Sequence, residues 1–425
     1  MKRRQMLSSL GALAMTGQVM DGLAETKVGK VTPGVVSRST GEQRFCETLS
    51  DLSTWADSFI DTTEQERAEG HAYIAGMARW AISRALVSSD TDRPGFVRCM
   101  DGSTRWGLEN PDNIYQSADI RGNYEYILRG QRGTSADFEV EVLTGLPGDG
   151  REIGSRIDAI GVDKLKTDAN GNFEIQIGGD QSHQNVLKTK SKAGVVFVRH
   201  TIADSSKERA GWITIERVDP PPEYLEPNNL REVSFRWDYA SRKLKEQVMF
   251  LESFAEQWRR TIPVNAFNLP SIKGAGFMPG QQNTYGQFRI KDDEALLVSV
   301  KPVDCRFASI VLGNYRWYCS LDNRYHQSAL NHRQARVSSD GNIHYVISNK
   351  DPGVANWLET AGHLRGFVFM RWQGIEGALQ NHPNATLLSI DGVRDILPPD
   401  EPQLDVKARR QQIHQHGLAY ERHFA

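Results

Sequence analysis

Between Gly95 and Arg217 the chain alternates hydrophobic and polar residues in short runs, and turn residues separate the runs. Alternation with a period of two is typical of strands that bury one face. Several short strands with regular turns indicate a β-sandwich or barrel. The predicted strands of this region are 123–128, 138–142, 172–177, 195–198 and 212–215.

Two helical patterns flank these strands. Thr63 and Glu66 have the spacing of a capping box, and apolar residues at helical spacing follow, which predicts a helix from Glu64. Three prolines at 220–222 end the strand-rich region, because proline cannot continue a central strand. An apolar face with helical period then predicts a second helix over 229–258 that bridges two β regions.

The alternating pattern resumes after the second helix, at 286–290, 295–300, 307–312, 343–347 and 366–370. We therefore predict a mainly β protein with accessory helices, in which two related jelly-roll-like antiparallel β-sandwich domains are joined by a helical segment. The predicted boundaries are a signal peptide at 1–24, an extended leader at 25–45, a helix plus the first sandwich at 46–218, a Pro-rich linker and helical bridge at 219–262, the second sandwich at 263–400, and a polar, helical surface tail at 401–425.

The N-terminal residues have the features of an export signal. Arg3 and Arg4 precede an apolar stretch at 6–15 that is too short to span a bilayer. Gly22 and Ala24 occupy the −3 and −1 positions of a cleavage site, and the paired arginines resemble the twin-arginine signal. We expect a periplasmic or secreted protein without a membrane span. The alternative is a basic tail that is no signal.

Charge and short motifs exclude several classes of function. The 51 Lys and Arg residues are balanced by 53 Asp and Glu residues, so no long-range field would attract a polyanion, and we expect no nucleic-acid partner. No nucleotide-binding glycine fingerprint stands in its strand-turn-helix context, so we predict no cofactor. The sequence leaves the oligomeric state open.

The four cysteines form no Cys-x-x-Cys pair. Cys305 and Cys319 flank a predicted hairpin and would face one another as a disulfide in an oxidising compartment. Buried free thiols are the equally open alternative.

A short motif occurs once in each β region. Arg105-Trp106 precedes Asp-Asn-Ile-Tyr-Gln-Ser-Ala at 112–118, and Arg316-Trp317 precedes Asp-Asn-Arg-Tyr-His-Gln-Ser-Ala at 322–329. Such an ordered repeat indicates duplication. It predicts that the two Arg-Trp pairs occupy equivalent strands of two superimposable sandwiches.

The second copy lies within a longer set of motifs: Tyr-Arg-Trp at 315–317, Asp-Asn-Arg-Tyr at 322–325, Ser-Asp-Gly at 339–341, Asp-Pro-Gly at 351–353 and Asn-Trp-Leu at 356–358. With these motifs, residues 285–375 resemble the C-terminal family catalogued as domain of unknown function 1214. The resemblance implies a jelly-roll sandwich that often follows another β domain. It implies no agreed reaction.

The same segments supply candidate ligand-binding groups. Aromatic rings can cover the apolar faces of a sugar or organic ligand, while Arg, Asp and Asn bind its hydroxyls or carboxylates. The alternative is structural, because Asp-Asn is common turn chemistry. The candidate ligand-binding residues are Arg316, Trp317, Asp322, Asn323, Arg324, Tyr325, Asn356 and Trp357.

Catalytic candidates are Asp322 and His326. A carboxylate pair for glycoside hydrolysis would come from Asp101, Glu109, Asp112 or Asp322. The histidines of the second region lack the spacing of a cupin metal site, so we predict no metal.

Three functions follow. The leading hypothesis is an exported protein that binds, and possibly processes, a saccharide or another polyhydroxylated or aromatic organic molecule. The second is a catabolic lyase or hydrolase that uses His326, Asp322 and Arg324. The third is a structural or assembly protein without a small-molecule site.

Overall fold

A computed structural model describes residues 40–151, 154–190, 193–219, 230–270, 280–379 and 382–423, which all belong to one compact unit. The predicted signal peptide and the prolines at 220–222 lie outside these residues. The α-helices that the structure describes are α1 (Gly41–Asp57), α2 (Glu64–Ser83), α3 (Leu230–Thr261), α4 (Val393–Ile396) and α5 (Val406–Glu421).

The first half contains nine strands. They are β1 (Val97–Met100), β2 (Asn113–Arg121), β3 (Tyr126–Gly133), β4 (Asp137–Leu143), β5 (Arg156–Gly161), β6 (Asn172–Ile177), β7 (Val186–Leu187), β8 (Ala193–Thr201) and β9 (Ala210–Arg217). We call the sheet β1-β2-β8-β4-β5 the first inner sheet and the sheet β7-β6-β3-β9 the first outer sheet.

The second half contains eight strands. They are β10 (Gln282–Arg289), β11 (Glu294–Val300), β12 (Phe307–Asn314), β13 (Ala329–Asn331), β14 (Ile343–Ser348), β15 (Trp357–Glu359), β16 (Arg365–Gln373) and β17 (Asn384–Ser389). The second inner sheet is β10-β16-β12-β13, and the second outer sheet is β15-β14-β11-β17.

Each half is a β-sandwich, because alternate residues of its two sheets meet in a separate hydrophobic core. Phe138, Val140 and Val198 of the first inner sheet pack against Leu128 and Ile175 of the first outer sheet. The second sandwich has an equivalent core, formed among others by Ile310, Val368, Met370, Val298 and Tyr345. The predicted mainly β fold with two sandwiches is confirmed.

The two sandwiches share one topology. Apart from β1, the first inner sheet has the strand order β2-β8-β4-β5, which corresponds strand by strand to β10-β16-β12-β13. The outer sheets correspond in the same way, and each contains one parallel pair, β6 with β7 and β14 with β15. The outer sheets are therefore mixed, whereas the sequence predicted antiparallel sheets throughout.

The Arg-Trp repeat does not mark this correspondence, and that prediction was wrong. Arg105 and Trp106 lie in a loop before β2, the first strand of the repeated unit. Arg316 and Trp317 lie in a loop after β12, its third strand. The pairs thus occupy non-equivalent loops, although the duplication itself is present.

A third core joins the two sandwiches. It contains the outward faces of both inner sheets, including Tyr115, Phe197, Tyr285 and Phe369, together with the apolar faces of α1, α2 and α3. Helix α2 begins at Glu64 with the predicted capping box between Thr63 and Glu66. The inner sheets therefore bury both faces.

The structure shows one wrong boundary and decides two further local features. Residues 41–45, predicted as part of the leader, form the start of α1, whose capping box joins Thr40 and Gln43. The predicted polar helix of the tail is present on the surface as α5, and two of its residues, Arg409 and Tyr420, are buried. All four cysteines are free, so no disulfide joins Cys305 and Cys319.

Within the described ranges, none of the helices combines the length and hydrophobicity that a bilayer crossing requires.

Candidate functional site

A cavity of about 330 Å³ lies between the two inner sheets and α3. Its wall comes from both sandwiches, from the loop at 106–109 and from one face of α3. Apolar and aromatic side chains predominate, including Met100, Trp106, Leu143, Phe197, Phe250, Phe254, Trp258, Tyr285, Tyr318 and Phe369. Four charged side chains join them: Glu109, Glu141, Arg199 and Arg371.

The aromatic rings of the wall hold each other in place. Tyr285 of β10 and Phe369 of β16 stack with centroids 4.7 Å apart and planes only 9° apart. Trp258 of α3 meets Tyr285 edge to face at 4.1 Å. Rings fixed in this way offer apolar surfaces that need little rearrangement to contact a ligand.

The first inner sheet contributes a paired arginine. Arg199 of β8 donates from Nη2 to Glu141 Oε2 at 3.3 Å, and Glu141 Oε1 lies 2.9 Å from Arg156 Nε. Arg199 also donates to Gln281 Oε1 at 3.5 Å. Burial raises the pKa of the Glu141 carboxyl, and the two guanidinium groups oppose that rise.

The second inner sheet contributes Arg371 of β16, which is only 4% exposed. Its guanidinium lies 4.3 Å from the Phe369 ring centroid. It donates to Leu108 O at 3.3 Å and to Tyr115 Oη at 3.5 Å, and both contacts are long. The Nε atom of Arg371 has no acceptor among the described residues.

The loop before β2 lines the cavity with strained backbone. Gly107 has φ 71° and Leu108 has φ 53°. Residues other than glycine rarely adopt this left-handed backbone conformation. Leu108 is nevertheless 1% exposed and directs its carbonyl at Arg371. Consecutive left-handed residues beside a cavity are typical of functional sites, where the surrounding contacts hold the strain.

Glu109 follows this turn and is buried. Its Oε2 accepts a hydrogen bond from Ser320 N at 3.1 Å, and its Oε1 accepts another from Ser320 Oγ. Burial raises the pKa of Glu109 to about 7, although Arg105 and the bonds from Ser320 oppose the rise. At neutral pH this carboxyl group is therefore partly protonated.

A second, polar cleft of about 700 Å³ contains three of the predicted site residues, Asp322, Arg324 and Tyr325. Arg324 is half-exposed and pairs with Glu421 of α5 at 2.6 Å. The Tyr325 side chain is 62% exposed. The other lining residues are Arg79, Arg98, Asp101, Gly102, Ser103, Arg105, Tyr420 and Glu421.

Other predicted site residues of the same loop are internal. Arg316 pairs with Glu252 of α3 at 2.6 Å and lies over the Phe59 ring. Trp317 is 2% exposed and donates its indole N–H to Glu66 O. Asn323 is also buried and donates to Leu321 O. Arg316 and Trp317 therefore fasten the loop to α3 and α2, Asn323 bonds within the loop, and none of the three lines either cavity.

Asn356, Trp357 and His326 also lie apart from the polar cleft. Asn356 accepts from Arg336 N and donates to its carbonyl, and the buried Trp357 donates to Ser348. His326 Nδ1 lies 2.8 Å from Glu359, and this contact raises the pKa of the histidine. The predicted ligand-binding residues therefore do not share one concave site, because only Asp322, Arg324 and Tyr325 line the polar cleft.

Sequence reasoning missed the arginines of the central cavity, although a repeat marks them. Residues 194–199 read Gly-Val-Val-Phe-Val-Arg, and residues 366–371 read Gly-Phe-Val-Phe-Met-Arg. These segments lie on β8 and β16, which are equivalent strands. Comparison of the strands rather than the loops would have found this repeat.

Comparisons with known proteins support the fold and support no function. The chain is similar to an uncharacterised protein from Burkholderia cenocepacia, with a TM-score of 0.74 and 27% identity over 83% of this chain and 98% of that one. The VPA0106 protein from Vibrio parahaemolyticus matches 80% of this chain and 100% of that one at 10% identity, with a TM-score of 0.45. No protein-family model and no curated protein match the sequence.

Proposed function

We propose that this protein binds a small organic molecule with an aromatic or apolar body in the central cavity. The observation that supports the proposal is the composition of the wall, in which fixed aromatic rings surround a few buried polar groups. Ligand sites in proteins combine these features, since apolar walls provide affinity and sparse polar groups fix orientation.

The size of the cavity limits the ligand. A volume of about 330 Å³ lies at the lower end of the range found for small-molecule sites, roughly 300–1,000 Å³. A molecule of one or two rings fits this volume, and an oligosaccharide does not.

Tryptophan fluorescence tests the proposal, because Trp106 and Trp258 line the cavity. We expect neutral one-ring and two-ring aromatic compounds to quench this fluorescence with saturation. Phe254→Ala removes a wall ring and should weaken binding roughly fivefold, from the loss of about 1 kcal/mol of aromatic contact. Phe235→Ala, at a position on the same helix that is 66% exposed, is the matched control. Binding that is equal in both variants would contradict the proposal.

A saccharide in the polar cleft is a second candidate. Tyr325 offers an exposed ring, Asp322 offers a carboxylate, and Arg105 has no ion-pair partner among the described residues. Aromatic stacking with polar contacts at the edge is the usual mode of sugar binding. Titration with neutral and acidic monosaccharides tests this candidate. Tyr325→Ala should abolish monosaccharide binding, and Phe254→Ala should preserve it.

The N-terminal residues and the motifs of the second sandwich support two further proposals. We propose that residues 1–24 direct export, and mass spectrometry of the periplasmic and secreted fractions should find a mature chain that begins at Glu25. Recovery of the intact chain from the cytoplasm would contradict export. The relation of 285–375 to domain of unknown function 1214 rests on its sequence motifs alone.

A further inference from the structure

The two cavity arginines are equivalent residues of the duplicated fold. Arg199 and Arg371 both end a Gly-x-Val-Phe-x-Arg segment on the strand that occupies the same place in each inner sheet. Each is 4% exposed and directed away from its own sandwich core. The two sites can therefore be compared position by position.

The neighbouring strands differ at two positions that decide the charge balance, Glu139 and Glu141 of β4 against Ser309 and Val311 of β12. In the first inner sheet Glu141 of β4 lies opposite Phe197, two residues before Arg199. In the second inner sheet the residue opposite Phe369 is Val311 of β12. The equivalent of Glu141 is thus a valine, and Arg371 lacks the carboxylate that Arg199 has.

No other described residue replaces that carboxylate. Arg371 has no acidic group within ion-pair distance in the described part of the chain, and its contacts are the neutral oxygens of Leu108 and Tyr115. Glu109, which lines the same cavity, is bonded to Ser320 instead. Asp112 acts on Arg371 electrostatically, but from beyond ion-pair distance. A buried guanidinium without a direct ion-pair partner is costly, and a ligand anion would lower that cost.

We infer that the ligand of the central cavity is an aromatic carboxylate whose carboxylate group pairs with Arg371. The inference rests on the proposed function and adds the charge and orientation of the ligand. A planar guanidinium fork binds a carboxylate through two parallel hydrogen bonds, and its Nε–H is free for this contact. The stacked rings of Phe369 and Tyr285 lie beside the fork and would contact the aromatic body.

Calorimetry with 2-naphthoate and its neutral isostere 2-naphthamide tests the inference. The wild-type protein should bind the carboxylate at least about tenfold more tightly, because hydrogen bonds to a charged group are stronger than neutral ones. Arg371→Gln should bind the two probes equally, and Arg371→Lys should keep part of the preference. Arg260→Gln, at a site 75% exposed on α3, should behave like the wild type.

The outcomes separate the two proposals. If the amide binds and the carboxylate is not preferred, the anion inference is overturned while the proposed function stands. A preference for the carboxylate that survives Arg371→Gln would overturn the assignment of Arg371. If neither probe binds to the wild-type protein, the proposed function and the inference that rests on it both fail.

Discussion

The two inner sheets carry the same Gly-x-Val-Phe-x-Arg segment in equivalent strands, yet they treat buried charge differently. The first sheet surrounds Arg199 with its own acids, since Glu141 accepts from it and Glu139 lies opposite it. The second sheet places Ser309 and Val311 at those positions. Both arginines keep an unpartnered Nε, so the difference is one of charge: Arg199 has an internal carboxylate partner, and Arg371 has none within ion-pair distance among the described residues.

If Arg371 binds a ligand as we infer, this difference is the way in which duplication produced the site. Both copies bury one face in their own sandwich and the other in the shared core, so the arginine is dehydrated in each. An acid on the next strand makes the first copy a structural element. The loss or absence of that acid in the second copy leaves the same side chain available for a ligand.

The largest expected effect breaks the equivalence of the two arginines. Arg199→Met leaves the buried Glu141 with Arg156 as its remaining partner and should lower the free energy of unfolding by about 3–5 kcal/mol. Arg371→Met removes a buried charge that has no ion-pair partner among the described residues, so it should leave the free energy of unfolding unchanged or raise it. Urea unfolding of both variants without ligand provides the comparison. Equal losses would show that Arg371 is also held by an internal charge.

A pH experiment asks whether Glu109 is protonated or ionised in the folded protein. Burial raises the pKa of Glu109 from 4.5 to about 7, so the folded protein holds this proton more tightly than the unfolded chain does. The resulting stability is present below pH 4.5 and is lost as the pH rises to about 7, a change of about 3 kcal/mol. Glu109→Gln should avoid this loss, and its advantage over the wild type should grow across that window.

A second buried acid titrates in the same range, because burial raises the pKa of Asp112 to about 7. Asp112 is present in both the wild type and Glu109→Gln. Its contribution cancels in the difference. An advantage of Glu109→Gln that shrinks with rising pH would show that Glu109 is ionised and stabilised by a neighbouring cation, and Arg105 is the cation that acts on it in the structure.

A third prediction concerns Gly194 and Gly366, which begin the repeated segment in the two inner sheets and are both closely packed. A Cβ on Gly366 would lie 2.3 Å from Phe288 Cε1 and 2.5 Å from Gly313 O, and one on Gly194 would lie 2.8 Å from Leu143 O. Each alanine variant should lose about 1–3 kcal/mol through overpacking, with the larger loss at Gly366. Gly161→Ala on β5 of the first inner sheet has open space and should fold with wild-type stability. Thermal or urea unfolding of the three variants would measure this.

The smallest effect is expected outside the shared core. Arg324 lies at the exposed edge of the polar cleft and pairs with Glu421, and both side chains are about half exposed. Arg324→Ala should leave the melting temperature unchanged, because solvent screens such a pair. A clear drop in the melting temperature would show that α5 depends on this contact, and a loss of sugar binding at constant melting temperature would favour the polar cleft as a site.

The sequence by itself determined the elements that depend on neighbours along the chain. The capping box of Thr63 and Glu66 and the alternation in segments such as 172–177 and 343–347 predicted elements that the structure contains. A capping box needs only four consecutive residues, and a strand that buries one face repeats every second residue. The same local information indicated two sandwiches, because each half contains its own set of alternating runs.

Only the tertiary structure decided which polar residues face a cavity. Trp317 and Arg324 stand seven positions apart in one loop, but the first is buried against Glu66 and the second is exposed. The state of Arg371 depends on Val311, on Leu108 and on Tyr115, which reach it through strand pairing and domain packing across long stretches of chain. Whether a buried charge is paired inside the protein depends on residues that are distant in the sequence. The positions of those residues are fixed only when the sandwiches pack together.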